Sequence, residues 1–188
     1  DEEEEIAILA NNLEFFDIKY EKTKRILEKR FFTRNEITIR KYLIKEMPKD
    51  LSDYAYHTLV QGYLNTSPVV RVRKENDSYY LTYKGSGLLT REEYNLPLDE
   101  ESFLHLIGKA DGNVISKRRY QIPYSCNGNS FLIELDVFEK PFAPLVLAEV
   151  EFLSEEQSEN FIPPEWFDKE VTYDPNYHNS NMSKRSFS

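Results

Sequence analysis

Along most of the chain, apolar and polar positions alternate one by one. In Val69-Val70-Arg71-Val72-Arg73 two arginines stand beside apolar neighbours, and the same alternation returns with cations at Lys117 and Arg119 and with acids at Glu134/Asp136 and Glu149/Glu151. Residues i and i+2 of a β-strand point to one face, so each pair lays two like charges side by side with an apolar face behind them. Like charges so placed repel unless something bridges them. Curled together, such strands would line an interior with Arg and Lys on one part and carboxylates on another, a lining suited to a polyanion with a divalent cation.

The pattern predicts a strand from Ile37 to Leu43, with Ile37, Ile39, Lys41 and Leu43 on one face and Thr38, Arg40 and Tyr42 on the other, and a second from Tyr56 to Leu64. Val69–Lys74 and Tyr79–Lys84 form a hairpin across Glu75-Asn76-Asp77-Ser78, and further strands follow over 88–96, 114–123, 130–138 and 145–153. Phe103, Leu106 and Ile107 have helical spacing behind an acidic first turn, so 99–108 reads as a short helix. Ser154 with Gln157 three residues on resembles a capping box, and Pro163-Pro164 ends the helix it starts. Residues 1–34 differ: Ile6, Leu13, Tyr20 and Leu27 recur every seven, as in an amphipathic helix packed on its own domain or offered to a partner. Beyond Tyr177 the tail is polar and expected to fray.

About eight strands without regular strand–helix alternation imply an α+β fold built on an antiparallel β-barrel, flanked by helices and preceded by the N-terminal amphipathic helix. Three segments result: an extension over 1–34, the barrel over 35–180 and a polar tail over 181–188. Tyr80, Thr82 and Lys84 share one face against Tyr79, Leu81 and Tyr83, so the barrel interior is expected to be polar.

Composition narrows the partners. A chain of 188 residues with 40% hydrophobic content can bury one sizeable core. A net charge of -9 and an isoelectric point near 5.0 argue against nucleic acid as the main partner. Single Cys126 allows no disulfide within the chain, and the three histidines share no ligand spacing. No apolar run reaches the roughly 18 residues of a membrane span. The expected setting is therefore the cytoplasm, without membrane attachment, and a homodimer stays open.

Nine short pieces, standing in order, resemble the CYTH or triphosphate tunnel metalloenzyme family, in particular its small bacterial inorganic triphosphatases. Among them are Arg40-Lys41-Tyr42-Leu43, Gln61-Gly62-Tyr63-Leu64, Val70-Arg71-Val72-Arg73, Lys117-Arg118-Arg119-Tyr120, Ile133-Glu134-Leu135-Asp136 and Ala148-Glu149-Val150-Glu151. The resemblance implies an eight-stranded tunnel that takes tripolyphosphate or a nucleoside triphosphate with Mg2+ or Mn2+ and hydrolyses a terminal phosphoanhydride. It assigns Arg71, Arg73, Lys84, Arg91, Lys117 and Arg119 to the phosphates, Lys41 and Tyr63 to catalysis, and Glu93, Glu134, Asp136, Glu149 and Glu151 to the metal. Arginine offers a planar fork to phosphate oxygens and lysine a compact charge, while magnesium takes hard oxygen ligands and keeps several waters. Tyr63 as general base would need surrounding cations to lower its phenol pKa.

The first strand departs from the family. With Lys41 aligned, Ile37 and Ile39 stand where the motif Glu-x-Glu-x-Lys has its glutamates. Two alternatives follow: a module that captures polyphosphate or a nucleotide without turnover, and an adenylyl cyclase of the same fold, for which no base pocket is identified.

Overall fold

The computed structural model describes residues 38–85 and 93–187, with the backbone alone of Glu93. The N-terminal helix expected over 1–34, Ile37, Arg91 and the side chain of Glu93 lie outside the described residues.

The alternating segments form one antiparallel sheet: β1 (Thr38–Ile44), β2 (Tyr56–Thr66), β3 (Val69–Glu75), β4 (Ser78–Lys84), β5 (Glu93–Leu98), β6 (Asp111–Cys126), β7 (Asn129–Phe138), β8 (Val146–Phe152) and β9 (Phe167–Glu170). Their order is β5-β4-β3-β2-β6-β7-β8-β1-β9. This corrects the expectation of a closed eight-stranded barrel. The sheet has nine strands, and β5 and β9 are its edges, with no ladder joining them among the described residues. The ninth strand follows the double proline, where a four-residue Phe-Asp-Lys-Glu segment pairs with Tyr42 and Ile44 of β1.

The three α-helices among the described residues are short. Helix α1 (Glu100–Ile107) begins where the Asp99 side chain accepts the Ser102 N–H at 2.7 Å. Helix α2 (Glu155–Glu159) has Ser154 accepting the Gln157 N–H at 3.2 Å, while the Gln157 side chain accepts the Leu153 N–H at 3.0 Å. These bonds satisfy donors that a helix start leaves open. Helix α3 (Asn179–Met182) overturns the expectation of a frayed tail: Met182 is 0% exposed, and the side chain of Asn113 donates to the carbonyls of Ser183 and Arg185. No helix among the described residues is long and apolar enough to cross a membrane.

Strand parity gives the sheet two unlike faces. On one, Tyr42, Ile122, Ile133, Leu135, Val150 and Phe152 form a core that Phe161 and Phe167 seal. The other carries the charges, over an apolar end where Tyr63, Ile115, Phe138 and Leu147 meet Phe142, Val171 and Met182. Tyr63 of β2 and Leu147 of β8 share this second cluster although β6 and β7 lie between their strands. The sheet therefore curls toward its charged face.

Gly62 of β2 lets α1 approach: a Cβ there would stand 2.6 Å from Ile107 Cδ1 and 2.7 Å from Ala110 Cβ. Gly62→Val is expected to destabilise the chain by about 1–3 kcal/mol, the usual cost of overpacking. Urea unfolding measures this, and an unchanged midpoint would show that α1 does not sit against β2 there.

Candidate active site on the charged face

Register brings the cations and acids of four strands together. Lys41 lies opposite Glu149, Glu149 opposite Glu134, and Asp136 opposite Arg119. Lys41 Nζ lies 2.8 Å from Glu149 Oε1, and Arg119 Nη2 donates to Glu149 Oε2 at 3.0 Å. Arg119 also grips Asp136 with Nε and Nη2, both at 2.7 Å, and bonds Glu134 through Nη1. Lys117, fully buried, donates to Asp136 Oδ2 and lies over the Phe138 ring. Lys41 has a second acceptor in the Tyr177 carbonyl at 3.1 Å, which ties the C-terminal segment to the network.

A second cluster lies on β2, β3 and β4. Arg71 donates to Thr82 Oγ1 at 3.0 Å. Arg73 donates Nε and Nη2 to Gln61 Oε1 at 3.0 and 2.8 Å, and Nη1 to the Tyr80 hydroxyl at 3.4 Å. Gln61 Nε2 donates to the Tyr63 hydroxyl at 3.3 Å. The Tyr80 hydroxyl donates to Glu75, which also meets His57 Nδ1 at 2.8 Å. Arg73 hydrogen-bonds only neutral groups among the described residues, whereas Arg119 is bonded to three carboxylates. Lys84 ends β4 on the same face, its Cα opposite Val69.

The electrostatics follow from burial and neighbours. Burial brings the Lys117 ammonium down to about 8, with Asp136 opposing the fall. Glu149 resists protonation far more than an ordinary carboxylate: burial alone would raise its pKa, but Lys117, Lys41 and Arg119 together prevail. Burial raises Glu134, and the nearby acids Asp136, Glu149 and Glu151 add to the rise against Arg119. Tyr63 does not show the lowered phenol pKa expected of a base among cations. Burial outweighs Arg71 and Arg73, so its pKa is raised.

The carboxylates differ in fitness for a metal. Asp136 and Glu149 have both oxygens engaged by Lys or Arg. Among the described residues, no three His, Cys, Asp or Glu side chains group as a metal cage. Glu151 is exposed and lies opposite Ile39, itself 44% exposed on the charged face. Glu134, bonded to Arg119 through one oxygen only, feels the charge of Glu151 nearby. A magnesium ion needs only one or two protein carboxylates when waters and phosphate oxygens complete its shell. Glu134 and Glu151 fit that requirement.

Residues 35–173 match the CYTH domain. The chain belongs to the CYTH family. Two curated relatives are enzymes, each an inorganic triphosphatase: that of Nitrosomonas europaea is 39% identical over 77% of this chain and 94% of its own length, and that of Acetivibrio thermocellus is 35% identical over 76% and 96%. A crystal structure of an inorganic triphosphatase superposes with a TM-score of 0.65 at 35% identity, covering 80% of this chain and 95% of that one. The curled sheet is thus the tunnel-like CYTH fold, with the charged face on the side toward which the sheet curls.

Gln61 and the His57–Glu75 pair had no role in the reading of the sequence, and Tyr80 and Thr82 were expected on the polar interior face without a partner. For Gln61 and Tyr80 the available signal was parity, since Gln61 lies two residues from Tyr63 and Tyr80 two from Thr82.

Asp136→Asn keeps one acceptor oxygen but sets an amide donor against Arg119, so one of its two bonds there is lost and Lys117 is left buried without a countercharge of full strength. A loss of about 3–5 kcal/mol is expected, as for a broken buried pair. Urea unfolding at neutral pH checks it; wild-type stability in this variant would mean that the network is not buried as described.

Proposed function

We propose that the CYTH tunnel of this chain binds inorganic tripolyphosphate and, with Mg2+ or Mn2+, hydrolyses its terminal phosphoanhydride. The observation that carries this reading is the division of the charged face: one half holds cations already neutralised by acids, and the other holds Arg73, whose guanidinium hydrogen-bonds only neutral acceptors among the described residues. A polyanion gains most from a partly buried cation that is not already bonded to a carboxylate. Arg71 and Arg73 take one end of the phosphate chain. Lys117 and Arg119 face the remainder from β6, Lys84 extends the grip from β4, and Arg91 is a further phosphate-binding candidate. Lys41, held between Glu149 and the Tyr177 carbonyl, supplies a compact charge where the attacking oxygen and the phosphoryl group meet. Glu134 and Glu151 would hold the divalent cation, and Glu93 is a further candidate ligand. Bound there with phosphate oxygens, the metal supplies charge neutralisation and polarisation of the phosphoryl group. Tyr63, with its raised pKa, serves as a hydrogen-bond donor to the phosphates rather than as a strong base.

A second reading has its own observation. Ile39 lies opposite Glu151 and cannot ligate a metal, and without that ligand the tunnel would capture tripolyphosphate and release it unchanged.

Phosphate release from tripolyphosphate and ATP, each with magnesium, manganese or EDTA, separates the readings. Turnover of tripolyphosphate that EDTA abolishes is expected; saturable binding with no release under any metal would favour capture, and Ile39→Glu should then raise turnover. Arg73→Ala should weaken tripolyphosphate binding by about 1.5–3 kcal/mol, the value of a charge-assisted hydrogen bond. Wild-type affinity in that variant would refute the phosphate role of Arg73.

The pH dependence has a definite sign. As pH rises through about 8 the free protein loses the Lys117 proton, so the tunnel loses a positive charge and kcat/KM should fall. A flat profile up to pH 9.5 would show that Lys117 stays charged or does not face the phosphates.

A further inference from the structure

The side chain of Gln61 is 0% exposed and lies between two groups to which the reading above gives different tasks, Arg73 across the ladder and Tyr63 two residues along the strand. Its amide can be oriented in only one way. Arginine has donors and no acceptor, so the oxygen that takes Arg73 Nε at 3.0 Å and Nη2 at 2.8 Å must be Oε1. Nε2 then faces the Tyr63 hydroxyl at 3.3 Å and must donate to it. The phenol oxygen therefore accepts from Gln61, and its own proton is left to point away from that donor.

The same count applies to Arg73. Gln61 takes the side of the guanidinium formed by Nε and Nη2, and Tyr80 takes one Nη1 proton. One proton each on Nη1 and Nη2 remains, and that on Nη2 points along the end-on edge, away from Gln61 and toward where a phosphate oxygen can take it. We propose that Gln61 is a positioning residue of the triphosphate site, its single amide setting at once the orientation of the Arg73 guanidinium and the direction of the Tyr63 proton. This rests on the function proposed above. It goes further in coupling two substrate-facing groups through a residue that touches no substrate.

Gln61→Glu separates the two halves of the amide. A carboxylate keeps the acceptor for Arg73 but cannot donate to Tyr63, so the phenol turns its proton toward position 61. Gln61→Met removes both. With tripolyphosphate, Gln61→Glu, whose carboxylate also neutralises Arg73, and Gln61→Met are both expected to raise KM and to lower kcat by roughly 10- to 100-fold, the scale of a misplaced group. In a Tyr63→Phe background the effect of Gln61→Glu on kcat should shrink to about 2-fold or less, since the coupled partner is already gone. Equal effects in both backgrounds, or wild-type kcat in Gln61→Glu, would overturn the proposal.

A readout without turnover guards against misfolding and against failure of the proposed function. The 13Cζ resonance of Tyr63, assigned by its loss in Tyr63→Phe, should move in both Gln61→Glu and Gln61→Met, with either folded variant sufficing. Should the protein hydrolyse nothing while the resonance moves, the proposed function falls and the amide coupling stands. An active protein whose Tyr63 resonance stays in place in both variants would refute the coupling itself.

Discussion

The grip of Arg119 on Asp136, with Lys117 buried beside them, is the interaction on which the rest of the tunnel depends. It joins β6 to β7, reaches β8 through Glu149, and extends through Lys41 to β1 and the C-terminal carbonyl of Tyr177. A buried ion pair contributes little net stability over an apolar pair of the same shape, whereas losing one member is severe. The network thus serves to specify geometry. It fixes where each cation of these strands stands, and three cations hold Glu149 far below its ordinary range.

Opposite this neutralised half stands the β2–β3–β4 wall, where amide, hydroxyl and phenol groups hold Arg73. Neutral acceptors orient a guanidinium without cancelling its charge, so positive potential remains for an anion. An acidic chain of net charge -9 can bind a polyanion for this reason: attraction depends on the local field inside a shielded groove, not on the total. The apolar floor formed with Val171 and Met182 excludes water beneath that groove, which strengthens the interactions above it.

Much of this was legible in the chain, because period two is forced on every strand. Arg71 with Arg73, Lys117 with Arg119 and Glu134 with Asp136 had to share a face wherever the strands went. Closure and edges were not legible: β9 is four residues long with one buried side chain, Phe167, and it is a strand because β1 offers a ladder. The tail was misread because local polarity hid one apolar residue, Met182, whose burial needs the floor of the tunnel to exist first. Asp136 illustrates the same limit at the site. Its residue type suits a metal as well as an ion pair, and only the register placing it opposite Arg119 decides its partners. Gln61 was invisible for that reason too, since its significance comes from Arg73 across the ladder. The phenol of Tyr63 shows magnitude overriding type: cations surround it as the sequence implied, but burial prevails.

A crystal structure of the chain grown with tripolyphosphate tests the division of the tunnel most directly. Phosphate oxygens are expected within hydrogen-bonding reach of both Arg73 and Arg119, with the Arg119–Asp136 grip kept. An anion seated on the apolar face, or bound at the rim with Arg73 still meeting only Gln61 and Tyr80, would contradict it.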